Sequence, residues 1–166
     1  MHSCFEIDDR ATVIMDPHDG RSIGVKPPSL KADLVTISHD HFDHNAVRVI
    51  KGDYVVVKDV APKNIKGVAI RGITGFHDDV GGEKRGKMNI FHLTMDGVRF
   101  CHLGDLGHML SDAQIEELGE VDVLFVPVGG VFTIDGAQAQ ALVKKMRPKV
   151  AIPMHFRVGG LSMSIQ

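Results

Sequence analysis

Short runs of apolar residues, separated by glycine, proline and aspartate, recur along most of the chain. Runs of about four to eight residues that are rich in valine and isoleucine and bounded by turn residues are typical of β-strands. The pattern predicts strands at residues 2–7, 11–15, 33–37, 53–58, 67–73, 89–95, 98–103, 121–127 and 150–155.

Two pairs of neighbouring runs are predicted to form antiparallel hairpins. The charged residues 8–10 separate the first pair, and Asp96-Gly97 separates the second pair. Asp-Gly is a favoured two-residue hairpin turn because both positions adopt positive φ readily. The second pair is therefore the clearest hairpin signal in the chain.

Helical periodicity is found twice in the second half of the chain. Ser111 with Gln114, and Asp135 with Gln138, have the capping-box pattern that begins a helix. The first helix is expected to end at Gly119, and the second to end before a proline that cannot continue it.

Composition and charge limit the class of protein. The 166 residues predict a single domain, 1–166, and the formal net charge of −2 gives no general attraction to nucleic acid or to an anionic membrane. No apolar run is long enough to span a bilayer, and no signal peptide opens the chain. Cys4 and Cys101 lie in strand-like runs, without a disulfide framework. These features predict a cytoplasmic protein with reduced cysteines.

The stretch that carries most chemistry follows the apolar run at residues 33–37. It contains three histidines and two aspartates within residues 39–44, and the run that follows predicts one or two helical turns. The cluster is therefore expected on a loop, where side chains can converge on one point. Imidazole nitrogen and carboxylate oxygen are ligands of zinc, manganese and iron. His39 and His41 are spaced to reach one ion, and Asp43 and His44 a second position beside it.

The pattern His39-x-His41-x-Asp43-His44 resembles the signature of the metallo-β-lactamase superfamily. The short chain is similar, over essentially its whole length, to zinc-dependent hydrolases of the L-ascorbate-6-phosphate lactonase-like type. The resemblance implies an α+β fold, a metallo-β-lactamase-like αββα sandwich of two β-sheets with outer helices and a two-metal site at one edge. Family members usually have further structure before His2 and after Gly160, so the pocket and helix layer are expected to be less complete here.

The resemblance also implies a full set of metal ligands. Carried over to this sequence, the set comprises three side chains for the first metal, three for the second and one that bridges them: His39, His41 and His77; Asp43, His44 and His155; and Asp105. Two ions held about 3.5–4 Å apart can deprotonate a shared water, and the metal-bridging hydroxide is the expected nucleophile. Asp43 and Asp105 are the expected catalytic carboxylates, and Asp43 would orient the water or handle its proton. Asp40 is a weaker candidate for that task. The resemblance implies that Asp16 braces the metal loop, and capping a turn is the equally supported alternative.

The predicted cofactors are two divalent metal ions, with Zn²⁺ favoured and Mn²⁺ or Fe accepted by the same donors. The leading function is hydrolysis of a small-molecule lactone or phosphoester. A nucleic-acid phosphodiesterase and a non-catalytic metal-binding protein of the same fold are the alternatives. One tyrosine, no tryptophan and no basic excess argue against nucleic acid as a partner. No membrane partner is expected, and self-association is left open.

The remaining histidines are expected to differ in role. His108 lies three residues after Asp105 and is a candidate substrate contact or general acid. Four others have no motif placement and are expected to be structural: His2, His18, His92 and His102.

A charged, glycine-rich loop at residues 78–87 is expected to be adaptable and to overhang the site. Its basic residues, together with backbone N–H groups where the turn at residues 128–130 leads into a helix, predict a modest preference for anionic substrates. The basic residues are Lys84, Arg85 and Lys87.

Overall fold

The computed structural model describes residues 2–162, so Met1 and residues 163–166 of the predicted domain lie outside it. The strands in this range are β1 Phe5–Asp8, β2 Thr12–Met15, β3 Leu30–Lys31, β4 Leu34–Thr36, β5 Ile50–Lys51, β6 Val55–Val57, β7 Lys63–Ile65, β8 Val68–Phe76, β9 Lys87–Met95, β10 Val98–His102, β11 Val123–Pro127 and β12 Val150–Met154. The α-helices are α1 Asp112–Leu118 and α2 Gly136–Met146, and 3-10 turns lie at Arg21–Ile23 and Val47–Val49.

Two sheets carry the fold. The smaller has the strand order β1-β2-β4-β6, and the larger has the order β12-β11-β10-β9-β8-β7. Helix α1 packs on β8 and α2 packs on β11. This arrangement confirms the predicted α+β sandwich. Neither helix in the described range is long and apolar enough to cross a membrane.

The smaller sheet has apolar side chains on both faces, and successive side chains along each strand point to opposite faces. In β2, Val13 and Met15 join the core shared with the larger sheet, whereas Ile14 joins a second core on the opposite face. That second core is closed by the 3-10 turn Val47–Val49 and the ribbon of β3 and β5. One or two helical turns were expected after the histidine cluster. Within residues 2–162 this segment forms only the 3-10 turn Val47–Val49, because Ile50 already pairs with β3 as part of β5.

Both predicted helices begin as their capping boxes indicate. In each, the N-cap side chain accepts from the backbone N–H three residues later, and the glutamine side chain accepts from the N-cap N–H. The predicted hairpin turn is also confirmed, since Asp96 and Gly97 have φ values of 47° and 77°. Strand β8 is longer than predicted because its last residues, Gly75 and Phe76, also pair with β9.

Candidate metal centre

The site lies where strands of one direction end. In the larger sheet β8, β10 and β12 run parallel, because β9 is antiparallel to its two neighbours and β11 is parallel to its own. Each of the three is followed within three residues by a predicted ligand, namely His77, Asp105 and His155. The loop with the histidine cluster follows β4 of the smaller sheet. Strand direction therefore brings four separate stretches to one edge.

Asp105 occupies the middle of the site and is buried. Its Oδ2 lies 3.8 Å from His39 Nε2 and 3.4 Å from His77 Nε2. The same oxygen lies 3.1 Å from His44 Nε2 and 3.2 Å from His155 Nε2. One carboxylate oxygen therefore faces ring nitrogens that the sequence assigns to two different metals.

The other predicted ligands fall into two groups around Asp105. Each residue of a group offers one donor atom, and within each group those atoms lie within 4.8 Å of one another. The groups are His39, His41 and His77 on one side, and His2, Asp43, His44 and His155 on the other. The structure thus brings together all seven side chains predicted from the sequence and adds His2.

Asp16 holds two of the histidines from behind. Its carboxylate accepts hydrogen bonds from Ser38 N at 2.7 Å, from Ser38 Oγ at 2.5 Å and from His44 Nδ1 at 2.8 Å. Because Ser38 Oγ gives its proton to Asp16, His39 Nδ1 donates to Ser38 Oγ across 2.9 Å. His44 Nε2 then faces Asp105, whereas His39 Nε2 lies 3.0 Å from His41 Nδ1 and 3.8 Å from Asp105 Oδ2. Such outer hydrogen bonds are typical of metal-ligating histidines, so Asp16 lies where a bracing residue was expected.

The loop after β11 positions two further histidines. His77 Nδ1 donates to Phe132 O at 2.9 Å, which leaves its Nε2 directed inward. Gly129 packs against His155 so closely that a Cβ there would lie 2.2 Å from His155 O. The glycine is therefore required for the close approach of this loop to the end of β12.

The buried carboxylates of the centre form no ion pair with a lysine or an arginine among the described residues. Among residues 2–162, the carboxylates of Asp16, Asp43 and Asp105 make ion-pair contacts with histidines alone. Burial opposes ionisation of Asp105, but the neighbouring His44 and His155 hold its pKa well below the usual range. Buried carboxylates of this kind need a compensating cation.

The histidines supply neutral donors for such a cation. Burial lowers the pKa of His39 to about 3, and His44 beside it acts in the same direction. Burial also lowers the pKa of His77. Neutral imidazole and ionised carboxylate are the forms that bind divalent metals.

His44 shows most directly that a cation fits. Its Nδ1 donates to Asp16, while its Nε2 is buried, lies 3.1 Å from Asp105 Oδ2 and has no hydrogen-bond partner among the described residues. Burial opposes protonation, but Asp105 raises the pKa of His44 well above its usual value. The site therefore favours a positive charge between this nitrogen and Asp105 Oδ2, and either a proton on the ring or a metal ion supplies it. The residues present therefore fit a metal.

The comparisons with known proteins decide the family. A family model described as a Beta-lactamase superfamily domain matches residues 1–155. The chain belongs to the metallo-β-lactamase superfamily. Within it, the chain is 30% identical to a UPF0173 protein of Pyrococcus furiosus, over 93% of this chain and 80% of that one. It is 28% identical to a UPF0173 metal-dependent hydrolase of Thermococcus onnurineus, over 93% and 81% of the two chains.

A solved structure agrees with this placement. The chain is similar, at a TM-score of 0.82 and 39% identity, to a Thermotoga maritima protein described as a candidate Zn-dependent hydrolase of the metallo-β-lactamase superfamily. The similarity covers 96% of this chain and 75% of the other. The chain is therefore a metal-dependent hydrolase of the UPF0173 family.

Two residues that were expected to take part in the reaction, Asp40 and His108, lie away from the metal centre. The Asp40 side chain is 72% exposed and pairs with Lys58 at 2.8 Å, so its expected role in handling water is wrong. His108 accepts a hydrogen bond from Phe76 N at 3.2 Å, and its Nδ1 donates to Met109 O at 3.0 Å. Both ring nitrogens are thus held by backbone, and the general-acid role expected for His108 is wrong.

Of the histidines expected to be structural, two are bonded to backbone carbonyls. His92 Nε2 donates to Glu120 O at 3.0 Å, and His102 Nε2 donates to Ser3 O at 2.9 Å. His18 is buried with its ring 6.5 Å from that of His2. His2, also expected to be structural, lies with the second group of donors. The predicted hairpin was the available signal, because it sets the start of β1 beside the end of β2 and hence beside Asp16.

A cleft of about 290 Å³ opens over the centre. A second cleft of about 250 Å³ adjoins it, and His77, Arg85 and Phe132 line both. The Arg85 guanidinium stacks over the Phe132 ring, 3.9 Å from its centroid. This pair therefore forms the boundary between the two clefts, with one cationic group facing the metal site.

The loop at residues 78–87 is more ordered than its composition suggested. The Asp78 carboxylate accepts four backbone hydrogen bonds, from Val80 and Gly82 at 3.0 and 2.7 Å and from Lys84 and Arg85 at 2.9 and 2.8 Å. Burial opposes ionisation, but these donors lower the pKa of Asp78 to about 2. Asp78 therefore fixes the loop that carries Arg85.

Replacing Asp78 with alanine is expected to release this loop. Four backbone N–H groups would lose their shared acceptor, so trypsin should cleave after Lys84 or Arg85 several-fold faster than in the wild type. The matched control is Asp79→Ala, because the Asp79 side chain is exposed and contacts Lys84 Nζ at 3.6 Å. Equal cleavage rates in the two variants would show that Asp78 does not hold the loop.

Proposed function

We propose that this metal-dependent hydrolase uses two divalent metal ions to cleave a small-molecule lactone or phosphoester that carries an anionic group. The supporting observation is the position of Asp105 Oδ2, within 3.8 Å of ring nitrogens from both groups of donors. A carboxylate that faces two sets of ligands is suited to bridging two ions. Two ions bridged in this way would support hydrolysis by a metal-activated water.

Two divalent ions bound there would activate a water and polarise the scissile C=O or P=O bond. Zn²⁺ is the first choice because imidazole predominates among the donors, and Mn²⁺ and Fe accept the same atoms. Asp43 lines the cleft, and its Oδ2 contacts His2 at 3.0 Å and His44 at 3.4 Å. This carboxylate is placed to accept a hydrogen bond from the attacking water and so to orient it.

Arg85 is the residue that we assign to the anionic group of the substrate. It lines both clefts, and among the described residues it forms no ion pair with a carboxylate. Its guanidinium lies over the Phe132 ring, 3.9 Å from the centroid, and a guanidinium can bind phosphate or carboxylate through two hydrogen bonds. The helix N-terminus expected to assist is instead closed by its own cap, since Asp135 N and Gln138 N both donate within the capping box.

Two of the basic loop residues, Arg85 and Lys84, are therefore expected to differ in effect. Arg85→Gln should raise KM for an anionic substrate about tenfold, as expected when a charge-assisted hydrogen bond from an exposed side chain is lost. It should change kcat little, because such a contact holds ground and transition states alike. Lys84→Gln is the control, since Lys84 lines only the side cleft and faces Asp79. Equal losses for a matched neutral substrate would contradict charge recognition by Arg85.

The reaction class is tested with a substrate panel. Protein loaded with Zn²⁺ or Mn²⁺ would be assayed against lactones, phosphodiesters, phosphomonoesters, thioesters and a single-stranded oligonucleotide. We expect turnover of a lactone or phosphoester that bears a distant phosphate or carboxylate. Preference for the oligonucleotide would favour a nuclease instead. Turnover of none of them, by protein that holds two ions, would contradict the proposed lactone or phosphoester substrate.

A further inference from the structure

His2 approaches the centre from a part of the chain that carries none of the predicted ligands. It precedes β1, which pairs antiparallel with β2 so that Phe5 lies opposite Met15. The start of β1 therefore lies at the same edge as the ends of β2 and β4, where the histidine loop begins. His2 is 6% exposed there.

The contacts of His2 are with the second group of donors. Its Nε2 lies 3.0 Å from Asp43 Oδ2. Its ring centroid is 4.5 Å from that of His155 and 5.2 Å from that of His44. A donor atom of His2 lies within 4.8 Å of a donor atom from each of these three residues. The imidazole thus faces the place that they surround.

The backbone is held in an unfavourable conformation to achieve this. His2 and His155 have φ values of 60° and 54°, in the left-handed region that residues with a Cβ seldom adopt. The two are joined by a hydrogen bond from His155 N to His2 O at 3.4 Å. Such conformations cluster where function requires a particular geometry. Here they bring two imidazoles to the same point.

We propose that His2 is a further ligand of the second metal position, an inference that rests on the two-metal site proposed above. The second position then has five protein donors, His2, Asp43, His44, His155 and Asp105. The first position has four, His39, His41, His77 and Asp105. Closed coordination is typical of tightly held metal, and an open position is typical of the ion that binds water and substrate. With one donor more than the first position, the second position is expected to hold its ion more tightly.

A positioning role is the competing explanation, in which His2 only donates from Nε2 to Asp43. Glutamine distinguishes the two, because its side-chain amide can donate to Asp43 but is a much poorer metal ligand than imidazole. Under our proposal His2→Gln behaves like His2→Ala. Under the positioning role it behaves like the wild type. The control is His92→Gln, which alters a buried histidine that is bonded to Glu120 O.

The experiment measures metal retention rather than activity. Each protein is loaded with Zn²⁺ and dialysed against increasing concentrations of a chelator, and zinc per chain is determined by elemental analysis. The Co²⁺-loaded proteins are compared by their visible absorption. We expect the wild type and His92→Gln to release two ions in two steps, the first position before the second. In both His2 variants the second position should release its ion at a chelator concentration at least about tenfold lower, with an altered Co²⁺ spectrum.

The outcomes separate the two proposals. Retention by His2→Gln equal to that of the wild type, with an unchanged Co²⁺ spectrum, overturns the ligand role while leaving the two-metal site intact. A wild type that holds only one ion contradicts the two-metal site itself, and the His2 ligand role with it. Circular dichroism and melting of the metal-free proteins show whether a loss of metal reflects a loss of fold.

Discussion

Replacing Asp105 with asparagine is expected to remove most of the hydrolytic activity and to weaken both metal positions together. The substitution keeps the size of the side chain but removes the charge that faces His39 and His77 on one side and His44 and His155 on the other. Loss of an outer partner of a metal ligand already costs about 10–100-fold in affinity or activity, so loss of a shared ligand should lower kcat/KM by at least about 100-fold.

The control for this variant is Asp40→Asn. Asp40 lies on the same histidine loop but is exposed and paired with Lys58, so its replacement should leave activity and metal content near those of the wild type. Steady-state kinetics and elemental analysis on both variants make the comparison. An Asp105→Asn protein that kept two ions and activity within a few-fold of the wild type would refute the bridging role.

Removing the metal is expected to lower the melting temperature strongly. The donors come from separate stretches of chain that only the fold brings together, so metal binds the native state and stabilises it by linkage. At a free metal concentration of 100 times Kd, each site contributes about 2.7 kcal/mol. For a chain of this size that corresponds to roughly 5–10 °C per site.

Calorimetry of loaded, chelated and reloaded protein measures this shift. The melting temperature should fall with chelation and recover on reloading, and Asp105→Asn should show a smaller difference because it binds metal weakly from the start. Unchanged melting after elemental analysis has verified metal removal would mean that the donors do not form the assembled site.

Local sequence features predicted the elements that depend on local physics. The turn at Asp96-Gly97 follows from two residues that tolerate positive φ, and the helix starts at Ser111 and Asp135 follow from side chains that cap neighbouring N–H groups. The seven donors could be chosen because the resemblance to a known family supplied their order. The resemblance gave no corresponding assignment for residues outside the family's ligand motifs.

The residues that were missed depend on contacts between distant parts of the chain. His2 meets Asp43, 41 positions away, only because β1 pairs with β2. His108, between β10 and α1, accepts a hydrogen bond from Phe76 N at the end of β8, 32 positions away. Asp78 and Asp79 are adjacent residues of the same type. Only the conformation of the loop decides that Asp78 accepts the backbone hydrogen bonds and that Asp79 is exposed to solvent. Such choices are made by tertiary packing.

Diffraction at the zinc absorption edge tests the two-metal centre most directly. Crystals of the Zn²⁺-loaded protein should show two anomalous peaks on either side of the Asp105 carboxylate, about 3.5–4 Å apart. One peak should lie among His39, His41 and His77, and the other among His44, Asp43 and His155. A single peak, or two peaks away from Asp105, would contradict the two-metal centre.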